Sequence, residues 1–287
     1  MTRRRGALVT ALALFAAAAG CEKIEGPKLG PPVLVAFDLV DPGGMPVPLE
    51  TDGGPVLVSP RAIVSARFDR LLDGDRLEAV TDAGVMGKSG VVTIAGLGQP
   101  QAAVQYIPNG DPDFKLLFAP GPQLVITPLP TLPSGSTITI TLDKTQVVSK
   151  RGEGPYLAAN GVRDVLSFMT APFAAAIATT DAGSADGGGA TPLAADAPIT
   201  VVFNNLPEAA IAARISVVVH DGAGQALAEA TAPPSPSDLD PATWTVAPKN
   251  GTWPKGAQVT VAVDAAAKDA LGMPIAAAAA GSFAVNP

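Results

Sequence analysis

Residues able to do chemistry are scarce in this 287-residue chain, which holds one histidine, His220, and one cysteine, Cys21. His220 ends an alternating run in which Val217 and Val219 point one way and Ser216 and His220 the other, so it is expected on the solvent side of a strand. One imidazole and one thiol cannot assemble a zinc site, a Cys–His pair or a serine triad with its orienting partners. A Gly-x-Ser-x-Gly elbow and a phosphate-cradling loop with its lysine are also missing from the sequence. Carboxylates remain. Asp73 with Asp75, and Asp111 with Asp113, are near enough in sequence to be weighed as acid–base pairs. They fall, however, in turn-like segments that favour aspartate for its own backbone hydrogen bonds. The same positions are the calcium candidates: Asp69, Asp73 and Asp75 around Gly74, and Asp111 and Asp113 beside Asn109, supply hard oxygen ligands on turns. Neither cluster has a closing bidentate glutamate. Aromatic stacking is the last chemistry to weigh. Trp253 at a Pro-x-Gly turn, and Tyr106, could stack on a sugar ring if exposed, although core or edge packing is the commoner use of such a ring.

Cys21 has its own context. Arg3, Arg4 and Arg5 precede an apolar run from Ala7 to Ala19, long enough for a signal-peptide core and too short to span a bilayer. The run ends in Ala18-Ala19-Gly20-Cys21, which resembles the lipobox of bacterial lipoproteins, with Ala18 where that family usually has a larger aliphatic residue. The resemblance implies cleavage after residue 20, covalent lipid on Cys21 and attachment to a membrane. Residues 21–30 then form the lipid anchor and tether. Glu22 stands where aspartate commonly signals inner-membrane retention, which points to the outer membrane.

Composition fits an exported chain. Removing residues 1–20 takes away three of the 19 basic residues and none of the 26 acidic ones, which brings the net charge from −7 to −10. Nucleic acid is excluded as a partner by that sign. With one cysteine, no disulfide can form within the chain, so its domains rest on core burial alone. About 267 residues after cleavage make two domains the natural division.

From Pro32 onward the pattern is that of strands. Val64, Ala66 and Phe68 alternate with Ile63, Ser65 and Arg67, and Ile138, Ile140 and Leu142 alternate with threonines. Ile199, Val201 and Phe203 repeat the behaviour, as do Ile215, Val217 and Val219, then Val259, Val261 and Val263. Trp244 alternates with Val246 and belongs with the core. Asn109-Gly110, Asn160-Gly161, Asp221-Gly222 and Asn250-Gly251 mark turns. With 29 prolines and 30 glycines the chain is punctuated too often for long helices.

Three landmarks occur twice in the same order. Ala62–Phe68 followed by Asp69-Arg70-Leu71 matches Pro198–Phe203 followed by Asn204-Asn205-Leu206. Leu132-Pro133-Ser134-Gly135 running into a Thr-rich strand matches Trp253-Pro254-Lys255-Gly256. Ser167-Phe168-Met169-Thr170 matches Ser282-Phe283-Ala284-Val285. Two copies of one module follow, 31–171 and 172–287, joined by the short Thr170-Ala171-Pro172. Asp41–Gly54 and Ala182–Ala190 are then loops inside the modules rather than linkers.

Together with the turn Asp269-Ala270-Leu271-Gly272, these landmarks resemble the bacterial Ig-like domain of the SbsA type. The second copy matches well. The first departs in Leu77–Phe118, which is longer, and at Lys150-Arg151-Gly152-Glu153-Gly154, which replaces the Asp-x-x-Gly turn. The resemblance implies an all-β fold of two tandem Ig-like β-sandwich domains and a structural or adhesive setting in the cell envelope. It implies no catalytic residues. The expectation is thus a non-enzymatic, lipid-anchored envelope protein acting as a spacer or as a module that binds another envelope protein. The alternative is a surface lipoprotein that binds glycan or peptidoglycan.

Overall fold

Alternating sequence becomes alternating burial. Ile138, Ile140 and Leu142 are at most 2% exposed, and Val64, Ala66 and Phe68 at most 3%. In the other half Ile199, Val201 and Phe203, then Val259, Val261 and Val263, are at most 1% exposed. Each such Val, Ile, Leu or Phe side chain contributes about 1.5–3 kcal/mol by leaving water, and a β-branched residue suits a pleated, half-buried surface. Ser65 breaks the pattern by being buried as well. Its hydroxyl finds Gln123 Oε1 at 3.3 Å on the neighbouring strand, so the burial leaves neither group without a partner.

The computed structural model describes residues 30–48, 50–51, 54–80, 91–97, 101–108, 121–179, 191–228 and 230–286. Pro31–Pro287 forms one compact unit. Within it the described residues form an all-β sandwich fold. One sheet orders Leu157–Ala158, Val33–Val40, Ile63–Phe68, Gln123–Leu129 and Gln101–Ile107, with Pro46–Val47 also paired to Val33–Val40. Its facing sheet orders Leu57–Val58, Val165–Thr170, Thr137–Leu142 and Val92–Ala95. A third sheet runs Ala175–Thr179, Ile199–Phe203, Thr243–Val246 and Ser235–Pro236, and a fourth runs Thr191–Leu193, Ala279–Val285, Gln258–Val263 and Ile215–His220. The first two sheets enclose a hydrophobic cluster drawn from Leu34 to Phe168, the last two a cluster drawn from Phe173 to Val285. Each half places a short strand parallel to its last long strand, Leu57–Val58 on Val165–Thr170 and Thr191–Leu193 on Ala279–Val285.

Two features depart from the sequence expectation. Gly74–Val80 is a helix rather than a turn. The Asp73 carboxylate accepts the Arg76 N–H at 3.2 Å, and Leu77 is buried at 2% exposure. A capping aspartate and one anchoring leucine are enough for seven residues held by their surroundings, though not for a helix on its own. The second departure lies at Ser149. Ser149-Lys150-Arg151-Gly152 is the counterpart of Asp269-Ala270-Leu271-Gly272, so the turn is kept and shifted by one residue from the expected position. Ser149 Oγ accepts the N–H groups of Arg151 and Glu153, as Asp269 Oδ1 accepts those of Leu271 and Met273. Gly152 and Gly272 have φ of +79° and +85°, the left-handed conformation that ends each turn.

Candidate functional site

The junction between the two halves concentrates the buried polar groups that the cores do not use. It starts with a turn. Gly135 adopts φ +60° and turns the chain so that Ser134 and Ser136 face the second half. Thr170, fully buried at the end of its strand, donates its hydroxyl to Pro133 O at 2.6 Å and accepts the Ser136 N–H at 3.0 Å. Three residues later Phe173, also fully buried, stacks on Phe203 at 5.4 Å. The chain therefore crosses from one core to the other with only Ala171 and Pro172 between them.

Asn205 closes the contact. Its position follows from Asn204, whose Oδ1 accepts the Ala174 N–H and whose Nδ2 donates to Pro172 O at 2.7 Å, which fixes the chain after Phe203. Asn205 is 0% exposed and its amide nitrogen lies 3.1 Å from Leu132 O, 2.9 Å from Ser134 Oγ and 3.1 Å from Asp269 Oδ2. Asp269, 1% exposed, also accepts the Ser134 N–H at 3.1 Å. Ser136 Oγ lies 4.0 Å from the Met273 sulfur. No cation neutralises this carboxylate among the described groups. Four N–H donors, from Ser134, Asn205, Leu271 and Met273, carry it instead. The network is directional, and in a dry site a lost partner is costly.

A second tie lies at the rim. Arg61 holds Asp240 through two contacts of 3.0 and 3.1 Å, and both side chains are about one-third exposed. Burial pushes the Asp240 carboxyl up. The Ala242 N–H, the Arg61 guanidinium and the Thr243 hydroxyl outweigh that effect and hold it below the usual carboxylate range. Beneath the pair is a cleft of about 250 Å³ lined from both halves by Pro60, Ile63, Pro130, Leu206 and Pro241. The arrangement fixes one half against the other.

The residues singled out in the sequence take other positions. Asp69 accepts the Val33 N–H at 2.8 Å and pairs with Arg70 through both oxygens, Asp73 caps its helix, and Asp75 is exposed. The three do not converge, and among the described residues no group of three or more His, Cys, Asp or Glu could hold a metal ion. The calcium expectation at Asp69, Asp73 and Asp75 is corrected accordingly, because each carboxylate is committed locally or points to solvent. Asp111, Asp113 and Cys21 lie outside the described residues. Stacking at Trp253 is corrected as well. The ring is 2% exposed and donates Nε1–H to Ala197 O at 2.8 Å, so it seals the end of the second core. Tyr106 is half-buried against the first core, and its hydroxyl receives the Leu72 N–H at 2.9 Å. His220 is half-buried beside Gln258 at the end of its strand. A groove of about 380 Å³ along Val35–Leu39 and Gly161–Arg163 is lined by a single carboxylate, Asp38. The sequence reading passed over Asn205 and Asp269 as chemistry, although both stood in its landmarks. The available signal was a polar pair after a buried phenylalanine.

Among the described residues no helix is long and apolar enough to cross a membrane. No family model matches the chain, and no curated protein matches it. Among solved structures it is similar to the N-terminal part of the bacterial S-layer protein SbsC at 13% identity and a TM-score of 0.28. The match covers 97% of this chain and 47% of that one, so the chain spans about half the length of its neighbour. At that score neither fold detail nor function carries across.

Proposed function

We propose that the protein is a non-enzymatic, lipid-anchored spacer of the bacterial cell envelope. In this reading Cys21 carries the lipid at the outer membrane, and two Ig-like domains of the SbsA type hold a protein-binding surface at a set distance from it. The observation that carries the reading is the latch of Ser134, Asn205 and Asp269, buried across a junction of two residues. A linker that served only to connect would need no buried polar network, whereas a spacer needs a fixed angle. The leader and the solitary cysteine support anchoring. The lack of thiols and imidazoles beyond Cys21 and His220 supports a role without catalysis. Burial of Trp253 removes the main support for the glycan-binding alternative.

Membrane fractionation tests the anchor. Cys21→Ser is expected to move the protein wholly into the soluble fraction and to change its mobility by the mass of the lipid. Full retention of the variant in membranes, with unchanged mobility, would sink the anchoring reading.

A further inference from the structure

The sheet edges of the molecule are not alike. A bare edge exposes a row of N–H and C=O groups with which another chain can pair, and proteins blunt it by shortness, proline, charge or cover. Leu157–Ala158, Leu57–Val58, Thr191–Leu193 and Ser235–Pro236 have two or three residues each. Val92–Ala95 has four. Ile215–His220 is covered near its end by the chain that follows, where the Leu227 N–H donates to Val219 O. Ala175–Thr179 turns against the facing sheet, with Ile177 Cγ2 packed over Gly281. Gln101–Ile107 is the exception. It runs for seven residues without charge, proline or glycine, and among the described strands it pairs with Gln123–Leu129 alone.

Alternation decides which of its backbone groups are open. The Phe68 N–H donates to Pro122 O, so Phe68, Ala66 and Val64 turn their backbone groups toward Gln123–Leu129, where Ala66 and Val64 meet Leu124 and Ile126. The residues between, Gln123, Val125 and Thr127, bond the next strand through Ile107, Gln105 and Ala103. Tyr106, Val104 and Ala102 therefore turn N–H and C=O to the open side. Pro128, which has no N–H, stands opposite Ala102, a position that makes no bond across the ladder. The side chains of Ala102, Val104 and Tyr106 are half-buried against the first core, whereas Gln101, Ala103 and Gln105 are exposed on the opposite face.

We infer that Gln101–Ile107 is a pairing edge for a second copy of the chain, joined antiparallel about a two-fold axis at Val104. The open residues are placed symmetrically about that axis. Val104 exchanges both backbone bonds with its counterpart, and Ala102 does so with Tyr106 of the other copy, so each open N–H and C=O finds a partner. The register sets small Ala102 beside large Tyr106, and Ala103 beside Gln105. Neutrality is what selects a copy of the same chain as the occupant. An isologous contact brings a side chain near the axis against its own twin, so a single charge there would become a like-charged pair. The chain as a whole has a net charge of −7, yet this strand carries none. Pairing uses up the edge of both copies, so the assembly closes at two. The inference stands whether or not Cys21 is lipidated.

The test uses residues 21–287 with Cys21→Ser, which keep the compact unit Pro31–Pro287 whole. Sedimentation between about 1 μM and 1 mM is expected to show a reversible monomer–dimer equilibrium with a dissociation constant above about 10 μM, as suits an interface of one strand pair. Val104→Pro removes the central N–H on the open side, leaves the ladder to Gln123–Leu129 in place, and should weaken dimerisation about tenfold or more. Ala103 and Gln105 are exposed and meet across the contact, so Ala103→Lys with Gln105→Lys should give a monomer, as should Ala103→Glu with Gln105→Glu. Mixed together, the lysine and glutamate chains should dimerise again, each with the other. A parent that stays monomeric up to about 1 mM would overturn the inference. So would a dimer that survives in the lysine chain, or a mixture that stays monomeric while both charged chains keep the parent's far-ultraviolet circular dichroism. Should Val104→Pro fail to fold, the charged pairs decide the matter, since their side chains point away from the core.

Discussion

Trp253 shows how one side chain can serve the fold in a place where chemistry looked available. Its indole N–H has a single acceptor, Ala197 O at 2.8 Å, and the ring is otherwise enclosed. Trp253→Phe keeps most of the apolar area and leaves that carbonyl without its donor, so a loss of about 1–3 kcal/mol is expected in urea unfolding. Truncation is more severe at the core phenylalanines. Phe203→Ala, which also removes the stack on Phe173, should cost about 3–5 kcal/mol, as should Phe68→Ala. Acid acts through Asp164, whose carboxyl the hydrogen bond from Lys144, at 2.6 Å, holds below the usual aspartate value. A carboxylate with a depressed folded value contributes stability in full above about pH 4, and the contribution is lost as pH falls through the lower folded value. Lys144→Met should therefore flatten the acid limb of stability measured between about pH 2 and 5. At this scale the core was legible from the sequence, because period-two alternation alone places Phe68, Val201 and Val261 inside. The latch was not. Its bonds join residues 71 and 135 positions apart, which no local pattern encodes.

Among the elements, the paired turns ending at Gly152 and Gly272 carry the clearest expectation. Both glycines have positive φ with open space where a Cβ would sit, so the cost of alanine is conformational rather than steric. Gly272→Ala and Gly152→Ala should each cost about 1–2 kcal/mol. Only the Gly272 variant should also disturb the junction, because Asp269 is anchored by that turn. Hydrogen exchange at the Ser134 amide would report the difference. Strands and their repeat were readable because landmarks recur in order. The helix Gly74–Val80 was hidden because its aspartates suit turns as well as caps, and one leucine leaves no helical period. The Ser149 turn was hidden because serine takes over the backbone bonds of aspartate with a shorter side chain and no charge.

For the molecule as a whole, the latch predicts coupled unfolding. Two hydrophobic clusters joined by buried hydrogen bonds should melt in one transition, and Asn205→Ala, which strips three contacts from the junction, should separate it into two in calorimetry. A single unchanged transition would mean that the cores are coupled by other means. Asp269→Asn should split the melt less, since an amide oxygen still accepts two of the four N–H groups. The short strand Thr191–Leu193 lying parallel to Ala279–Val285 has a mechanical meaning. The chain enters the second half at Phe173 and leaves it along Ala279–Val285, so tension applied between the two poles runs along the strands. Hydrogen bonds across a parallel pair are then strained sideways and together, instead of being unzipped one at a time. The same geometry recurs at Leu57–Val58 against Val165–Thr170, which gives each half its own clamp in series along the line of pull.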